Sequence, residues 1–243
     1  MPRFRTVVFD CDSTLSTIEG IDELAAGQRE EIARLTDAAM RGAVPLEEVY
    51  GRRLALVRPT REALEQLGRR YVETLVPDAR ETLTALAAEG VEVRVVSGGL
   101  LPAVLAAARA CGVPDRRVAA VDVRFDAAGE YAGFEEASPL ARSGGKLTVL
   151  RAWGAEMPRP AMLVGDGATD LEGRPAVDSF VAYAGVVARD AVVQAADAVV
   201  RTPSLAPVLA LALGDDVPRD PARRALYERG RAGLDAEGSP VHP

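Results

Sequence analysis

Residues 4–14 read FRTVVFDCDST, an apolar run from Phe4 to Phe9 that ends on the acidic Asp10-Cys11-Asp12. A short continuous apolar run closed by polar residues suits a buried strand. The rest of the sequence says what kind of sheet that strand would join. From Pro77 onward, strand-like and helix-like stretches alternate, the pattern of a parallel sheet with crossover helices. Helices are predicted over Ala79–Glu89 (stopping at Gly90), Leu101–Ala110 (stopping at Gly112) and Lys146–Trp153, and strands over Val91–Val96, Ala161–Val164, Ser179–Tyr183 and Ala198–Val200. Val118–Phe125 and Tyr131–Phe134, joined through Ala127-Ala128-Gly129-Glu130, predict a hairpin. Between the first strand and this region, roughly Glu19 to Tyr71 reads as helical. It is broken at Gly42-Ala43-Val44-Pro45 and near Pro59, with Thr60 placed to N-cap the next helix. The expected architecture is α/β. A doubly wound (Rossmann-like) parallel sheet core would occupy residues 1–14 and 76–213, with a small inserted helical-bundle cap at 15–75. Residues 214–243, rich in Arg, Asp, Gly and Pro, read as a C-terminal extension. Within it Pro221–Leu234 is expected to be at most a loose helix and Ser239–Pro243 to be disordered.

Composition narrows the chemistry. The 243 residues are 48% hydrophobic and 27% charged, which suits a globular chain with a sizeable core, and the net charge of −7 gives no general attraction to nucleic acid or anionic membrane. No stretch of about 18 apolar residues is present to span a bilayer. The start, MPRFRTVVFD, has no long apolar signal segment, and two cysteines do not make a disulfide framework. A cytoplasmic protein, monomer or homodimer, is expected. His242 is the single histidine, beside the last residue. Ser-His-Asp triads, His-ligated zinc and phosphohistidine chemistry therefore lack their key residue.

What remains are carboxylates, lysine, arginine and hydroxyls, and they fall at particular places. In an open parallel sheet, ligands bind beyond the carboxyl ends of the strands. Asp10 and Asp12 stand at one such end, Ser97-Gly98-Gly99 at a second and Gly165-Asp166-Gly167-Ala168-Thr169-Asp170 at a third, while Lys146 opens a helix after Ser143-Gly144-Gly145. The predicted fold brings all four clusters to one edge. Asp10, Asp166 and Asp170 make a hard, oxygen-rich site suited to Mg²⁺. Mg²⁺ and Lys146 would neutralise a phosphoryl group, and Ser97 with backbone N–H groups of a Gly-rich turn would donate to its oxygens. A carboxylate is the available nucleophile, ionised near neutral pH without activation. A second carboxyl two residues on points to the same side of an extended chain, where it can exchange protons with the leaving group and with water.

FDCDST, VVSGG, SGGK and VGDGATD, in that order, resemble the four motifs of the haloacid dehalogenase superfamily of phosphohydrolases. The resemblance extends through EGIDELA (Glu19–Ala25), AMRGAVPLEE (Ala39–Glu48), RRLALVRP (Arg52–Pro59) and GEYAGF (Gly129–Phe134), and so covers about Phe4 to Leu213. It implies Asp10 as nucleophile and metal ligand, and Asp12 as acid/base with its main-chain carbonyl on the metal. Asp166 would complete the metal shell, with Asp170 behind it orienting a ligand water. It implies Ser97, Gly98, Lys146 and Thr169 as phosphate holders, Glu19 against a substrate ammonium, Arg53 against its carboxylate, and Met40 lining the pocket. The implied activity is Mg²⁺-dependent hydrolysis of O-phospho-L-serine, the last step of serine biosynthesis. A phosphotransferase or phosphatase acting on another small phosphomonoester is the alternative within the same chemistry. Cys11 and Arg41 stand where the pattern usually carries other residues.

Plainer readings exist for each piece. Asp10 and Asp12 alone suit a cap or turn, Lys146 a solvated helix residue, and Glu19 and Arg53 a surface ion pair. The convergence of four clusters argues against them. Cys111 to Arg117 has the C-x₅-R spacing of cysteine phosphatases, but Cys111 is predicted at a helix C-terminus, where the dipole disfavours a thiolate. A non-catalytic phospho-accepting signalling domain also pairs Asp with Lys and Mg²⁺. Such domains lack both the helical insert and an acid/base two residues after the acceptor.

Overall fold

The computed structural model describes residues 1–236 except 26, 28 and 42, and the side chains of Arg29 and Met40 also lie outside the described part. In chain order the elements begin with β1 (Thr6–Phe9), then α1 (Gly20–Glu23), α2 (Arg29–Met40), α3 (Leu46–Val57), α4 (Arg61–Glu73) and α5 (Ala79–Ala88). Next come β2 (Glu92–Leu100), α6 (Leu101–Ala110), β3 (Val118–Val121), β4 (Val123–Phe125), β5 (Tyr131–Phe134), α7 (Gly145–Trp153) and β6 (Ala161–Gly165). The chain ends with α8 (Ala168–Leu171), β7 (Ser179–Tyr183), α9 (Asp190–Ala195), β8 (Ala198–Val200), α10 (Ala206–Leu213) and α11 (Pro221–Ala236).

Among the described residues, six strands form one parallel sheet in the order β3-β2-β1-β6-β7-β8. β1 and β6, all of whose residues are buried, lie side by side at its centre, with Thr6 to Phe9 in register with Ala161 to Val164. Burial on both faces is why these strands read as unbroken apolar runs instead of alternating ones. The chain winds outward from β1 through β2 to β3, returns, and winds the other way from β6 to β8. The strand order reverses between β1 and β6, and a crevice opens where crossovers leave a sheet in opposite directions. That position is fixed before any side chain is considered.

The helices follow from local sequence. Thr60 caps α4 by accepting from the Ala63 N–H at 3.1 Å, as its position before the amphipathic run predicts. Gly90 and Gly112, with φ of +80° and +79°, take the left-handed conformation that stops α5 and α6. Among the described residues, no helix is long and apolar enough to cross a membrane.

Three expectations need correction. The hairpin spans less than predicted: Val118–Val121 joins the main sheet parallel to β2, and Val123–Phe125 alone pairs with β5. Asp122 separates the two, its side chain accepting from Val123 N–H at 2.9 Å and its carbonyl from Glu135 N–H at 2.9 Å. One apolar run thus feeds two sheets, which periodicity cannot reveal. Strand β2 runs past Val96 through a register shift to Leu100, so Ser97-Gly98-Gly99 lies within the strand and not after it. Finally, Pro221–Leu234 is no loose helix. It belongs to the 16-residue α11, which buries Leu226, Tyr227, Gly230 and Leu234. These sit at i, i+1, i+4 and i+8, a narrow stripe easily lost among arginines. α11 covers α10, every residue of which is buried, and the Tyr227 hydroxyl donates to the Gly214 carbonyl at 2.6 Å. Arg223 and Arg229 tie α11 to Glu89 and Asp78 at 2.6 and 3.1 Å. Residues 237–243, including Ser239–Pro243 and His242, lie outside the described residues.

Candidate active site

Asp10 leaves β1 with its N–H still bound to the Val164 carbonyl at 2.9 Å, which locks it at the strand end beside β6. The next residues turn sharply: the Cys11 carbonyl accepts from the N–H groups of Leu15 and Ser16 at 2.9 and 3.0 Å, and Ser13 adopts φ +51°. The turn sends Asp12 to a different set of partners from Asp10. Asp12 Oδ1 accepts from Gly20 N–H at 2.7 Å and from the Tyr71 hydroxyl at 2.5 Å, and Oδ2 accepts from Ser97 Oγ at 3.2 Å. Ser97 Oγ in turn accepts from Gly99 N–H at 2.9 Å. A Cβ on Gly99 would stand 2.8 Å from Asp12 Oδ2, so this close approach requires glycine.

Across the crevice, Lys146 enters from the first turn of α7 and is 4% exposed. Its ammonium lies 2.9 Å from Asp10 Oδ1 and 2.6 Å from Asp170 Oδ1. Burial works against that charge, but the two carboxylates outweigh it and hold the Lys146 pKa above the usual lysine range. Asp170 Oδ2 accepts from Gly167 N–H at 3.0 Å. Gly165 at the end of β6 has no room for a Cβ against the Asp170 carboxyl. Asp166 accepts from Thr14 Oγ1 at 3.2 Å and is paired with the Arg189 guanidinium.

Carboxylates crowd this crevice, and their proton affinities rise accordingly. Burial, then the Asp10 charge, pushes Asp170 up to about 7, partly offset by Lys146. Burial and the same Asp10 charge raise Asp12, against the lowering effect of its hydrogen bonds from Tyr71 and Gly20. Burial and Asp12 push Glu19 up to about 7, although Ser13 Oγ donates to it at 2.7 Å.

Oxygens of Asp10, Asp166 and Asp170 lie within 4.8 Å of one another, all three residues buried. Asp10 Oδ1 is buried, with the Lys146 ammonium 2.9 Å away. A buried donor set made of three carboxylates fits a hard divalent cation. The Asp12 side chain points away from this cluster, toward Gly20, Tyr71 and Ser97.

The cavity over the crevice is lined by Asp10, Asp12, Glu19, Arg53, Gly98, Lys146, Asp166 and Thr169, together with Tyr50 and Arg142. Of the expected residues, three are not in this lining: Met40, whose backbone ends α2 and whose side chain lies outside the described part; Ser97, which reaches the site through Asp12; and Asp170, which stands behind Lys146. Arg53 comes from α3, 3% exposed, and donates to Thr36 Oγ1 at 2.8 Å, while its Nε has no hydrogen-bond partner. Arg41 is exposed and paired with Asp37 at 2.6 Å. Cys11 is buried, and burial and its flanking carboxyls raise its thiol pKa, which disfavours a thiolate there. Cys111 ends α6, pushed up to about 11 by burial.

Two residues of the site had no signal in the sequence. Arg189, on the loop before α9, pairs with Asp166 and approaches Glu19 at 3.9 Å, and its buried Nε lacks a partner. Tyr71 extends the Leu64, Leu67 stripe of α4 and reads as ordinary core until its hydroxyl is seen on Asp12.

A doubly wound sheet with an all-carboxylate crevice, a buried lysine and a second acid two residues after the first defines a class of phosphohydrolase, and the comparisons agree. Residues 4–178 match the haloacid dehalogenase-like hydrolase model, and the chain belongs to this family. It is 39% identical over 189 residues to phosphoserine phosphatase of Homo sapiens, covering 76% of this chain and 84% of that protein. A solved phospho-aspartyl intermediate analogue of phosphoserine phosphatase superimposes with a TM-score of 0.73 at 27% identity, over 84% of this chain and 97% of that one. A substrate-bound phosphoserine phosphatase complex gives 0.73 at 26% identity, over 84% and 96%.

Proposed function

We propose that this chain is a phosphoserine phosphatase that hydrolyses O-phospho-L-serine to L-serine and phosphate through an aspartyl-phosphate on Asp10. The observation that carries the reading is the division of labour between two carboxyls at one strand end. Asp10 is paired with the Lys146 ammonium at 2.9 Å, while Asp12 two residues on is held by three other donors, from Gly20, Tyr71 and Ser97. The relatives named phosphoserine phosphatase support the substrate.

In the first half-reaction the Asp10 carboxylate attacks phosphorus, and the electron pair of the breaking P–O bond passes to the seryl oxygen. Asp12, whose proton affinity burial and the Asp10 charge raise, supplies the proton that this alkoxide needs. In the second half, water attacks the phosphorus, Asp12 takes its proton, and the electron pair of the P–O bond to Asp10 returns to the carboxylate. Asp10, Asp166 and Asp170 would hold Mg²⁺, which supplies charge neutralisation on the phosphoryl oxygens when bound. Lys146 neutralises the same oxygens, and Thr169 and the backbone around Gly98 donate to them. Helices α1–α4 act as a cap that excludes bulk water.

Substrate choice rests on Glu19 for the ammonium and on Arg53, joined by Arg189, for the carboxylate; both arginines carry a buried Nε without a partner. Arg53→Ala should lower kcat/KM for phosphoserine by about 30- to 10³-fold, the effect of stranding a desolvated charge. Phosphoethanolamine, which lacks the carboxylate, should change far less, and Arg53→Lys should recover only part of the loss. Equal losses on both substrates would show that Arg53 serves phosphate or folding instead. Chelation should abolish phosphate release, and added Mg²⁺ should restore it.

A further inference from the structure

Asp12 Oδ1 receives two donors, Gly20 N–H at 2.7 Å and the Tyr71 hydroxyl at 2.5 Å. An ionised carboxylate oxygen has two in-plane lone pairs, so Oδ1 is saturated. Oδ2 receives Ser97 Oγ alone, at a longer 3.2 Å. The two oxygens of one carboxyl are thus unlike. Both donors to Oδ1 come from the inserted helical segment, Gly20 opening α1 and Tyr71 lying near the end of α4. They pack as a unit: a Cβ on Gly20 would occupy the place of the Tyr71 hydroxyl. Tyr71 itself is fully buried, which removes the rotational freedom a surface donor would have.

We infer that Tyr71 is a positioning residue that pins Asp12 through Oδ1, so that Oδ2 alone carries the proton to the leaving alcohol and later takes one from water. The inference rests on the reading of Asp12 as acid/base. It names a residue outside the four motifs, drawn from a helix 59 residues further along the chain than Asp12. A purely structural tyrosine would instead fill the core and use Asp12 as a convenient acceptor.

The two roles separate by leaving group. Serine departs as an alkoxide that needs a proton, whereas acetyl phosphate releases acetate, which does not. In kcat/KM, which covers the steps up to departure of the leaving group, Tyr71→Phe should lower phosphoserine turnover about 10-fold. The same ratio for acetyl phosphate should change less than about twofold, because no proton is required there. The change removes one oxygen and keeps the ring, so the folded protein persists, as a thermal melt will verify. Incorporating 3-fluorotyrosine at position 71, which restores the donor, should recover the phosphoserine rate. Equal losses on the two substrates, or no loss on either, would overturn the positioning role. Asp12→Asn measured alongside keeps the two failures apart. If it retains phosphoserine turnover, the acid/base reading fails. If it loses turnover while Tyr71→Phe does not, the positioning role alone fails. In the Asp12→Asn background Tyr71→Phe should add nothing, since a positioning residue has no effect once the group it positions is gone.

Discussion

Two buried regions of this molecule obey opposite rules. At the sheet edge, Asp10, Asp166, Asp170 and Lys146 are packed together out of water, three acids against one lysine with Arg189 as further counter-charge. Under α11, the eight residues of α10 are buried with no charge among them. The first region costs stability, because burying like charges is unfavourable unless each is compensated. The second supplies it, at about 1.5–3 kcal/mol for each large apolar side chain removed from water. Function concentrates where folding is least favoured. The molecule tolerates this because the apolar layer elsewhere compensates.

The largest test of that contrast is Asp10→Asn. Phosphate release should fall to background, since an amide is neither a competent nucleophile nor a good ligand for a hard cation. The melting temperature should stay level or rise, because one of the crowded charges that raise Asp12 and Asp170 is removed. A variant that is inactive because it has unfolded would break the comparison.

The apolar region should respond in the reverse sense. Ending the chain before Pro221 removes Leu226, Tyr227 and Leu234 from α10 and should lower unfolding free energy by roughly 4–8 kcal/mol. That is a large share of the 5–15 kcal/mol typical of a whole domain, on the order of what keeps a chain folded. Denaturant titration will measure it, with any activity loss tracking the unfolded fraction. A truncated chain as stable as the full one would show α11 to be dispensable.

The smallest effect sharpens the picture by pH. Glu19 stands at about 7 in the folded protein against an ordinary 4.5, so between those values the folded state holds a proton that the unfolded state has lost. Stability should therefore fall as pH rises from about 4.5 to 7, in chelator-treated protein. Asp12 and Asp170 act in the same direction, so Glu19→Gln should flatten the slope without abolishing it. Thermal melts across that range compare the two proteins directly, and identical slopes would remove Glu19 from the account.

Much of the site was legible in the sequence because its parts are local. A strand followed by a tight turn fixes Asp10 and Asp12 within a few residues, and the same holds for Asp166, Thr169 and Asp170 after β6. Lys146 was legible too, since Ser143-Gly144-Gly145 marks a helix start, although its place between Asp10 and Asp170 is a property of the assembled crevice. The hairpin was overdrawn because one apolar run, Val118–Phe125, serves two sheets.

The order of motifs, the alternation of strands and helices, and the absence of usable histidine were thus settled by the sequence alone. Backbone conformation and hydrophobic period depend on near neighbours, and those are written side by side. Tertiary structure decided the rest: which donor holds which oxygen of Asp12, that Arg189 faces Asp166, that Arg53 is sealed in with an unpaired Nε, and that α11 covers α10. Each of these joins residues far apart in the chain through a single contact or a narrow stripe. A tyrosine in an apolar stripe, or an arginine in a loop, has the same local signature whether it meets solvent, core or a catalytic carboxyl.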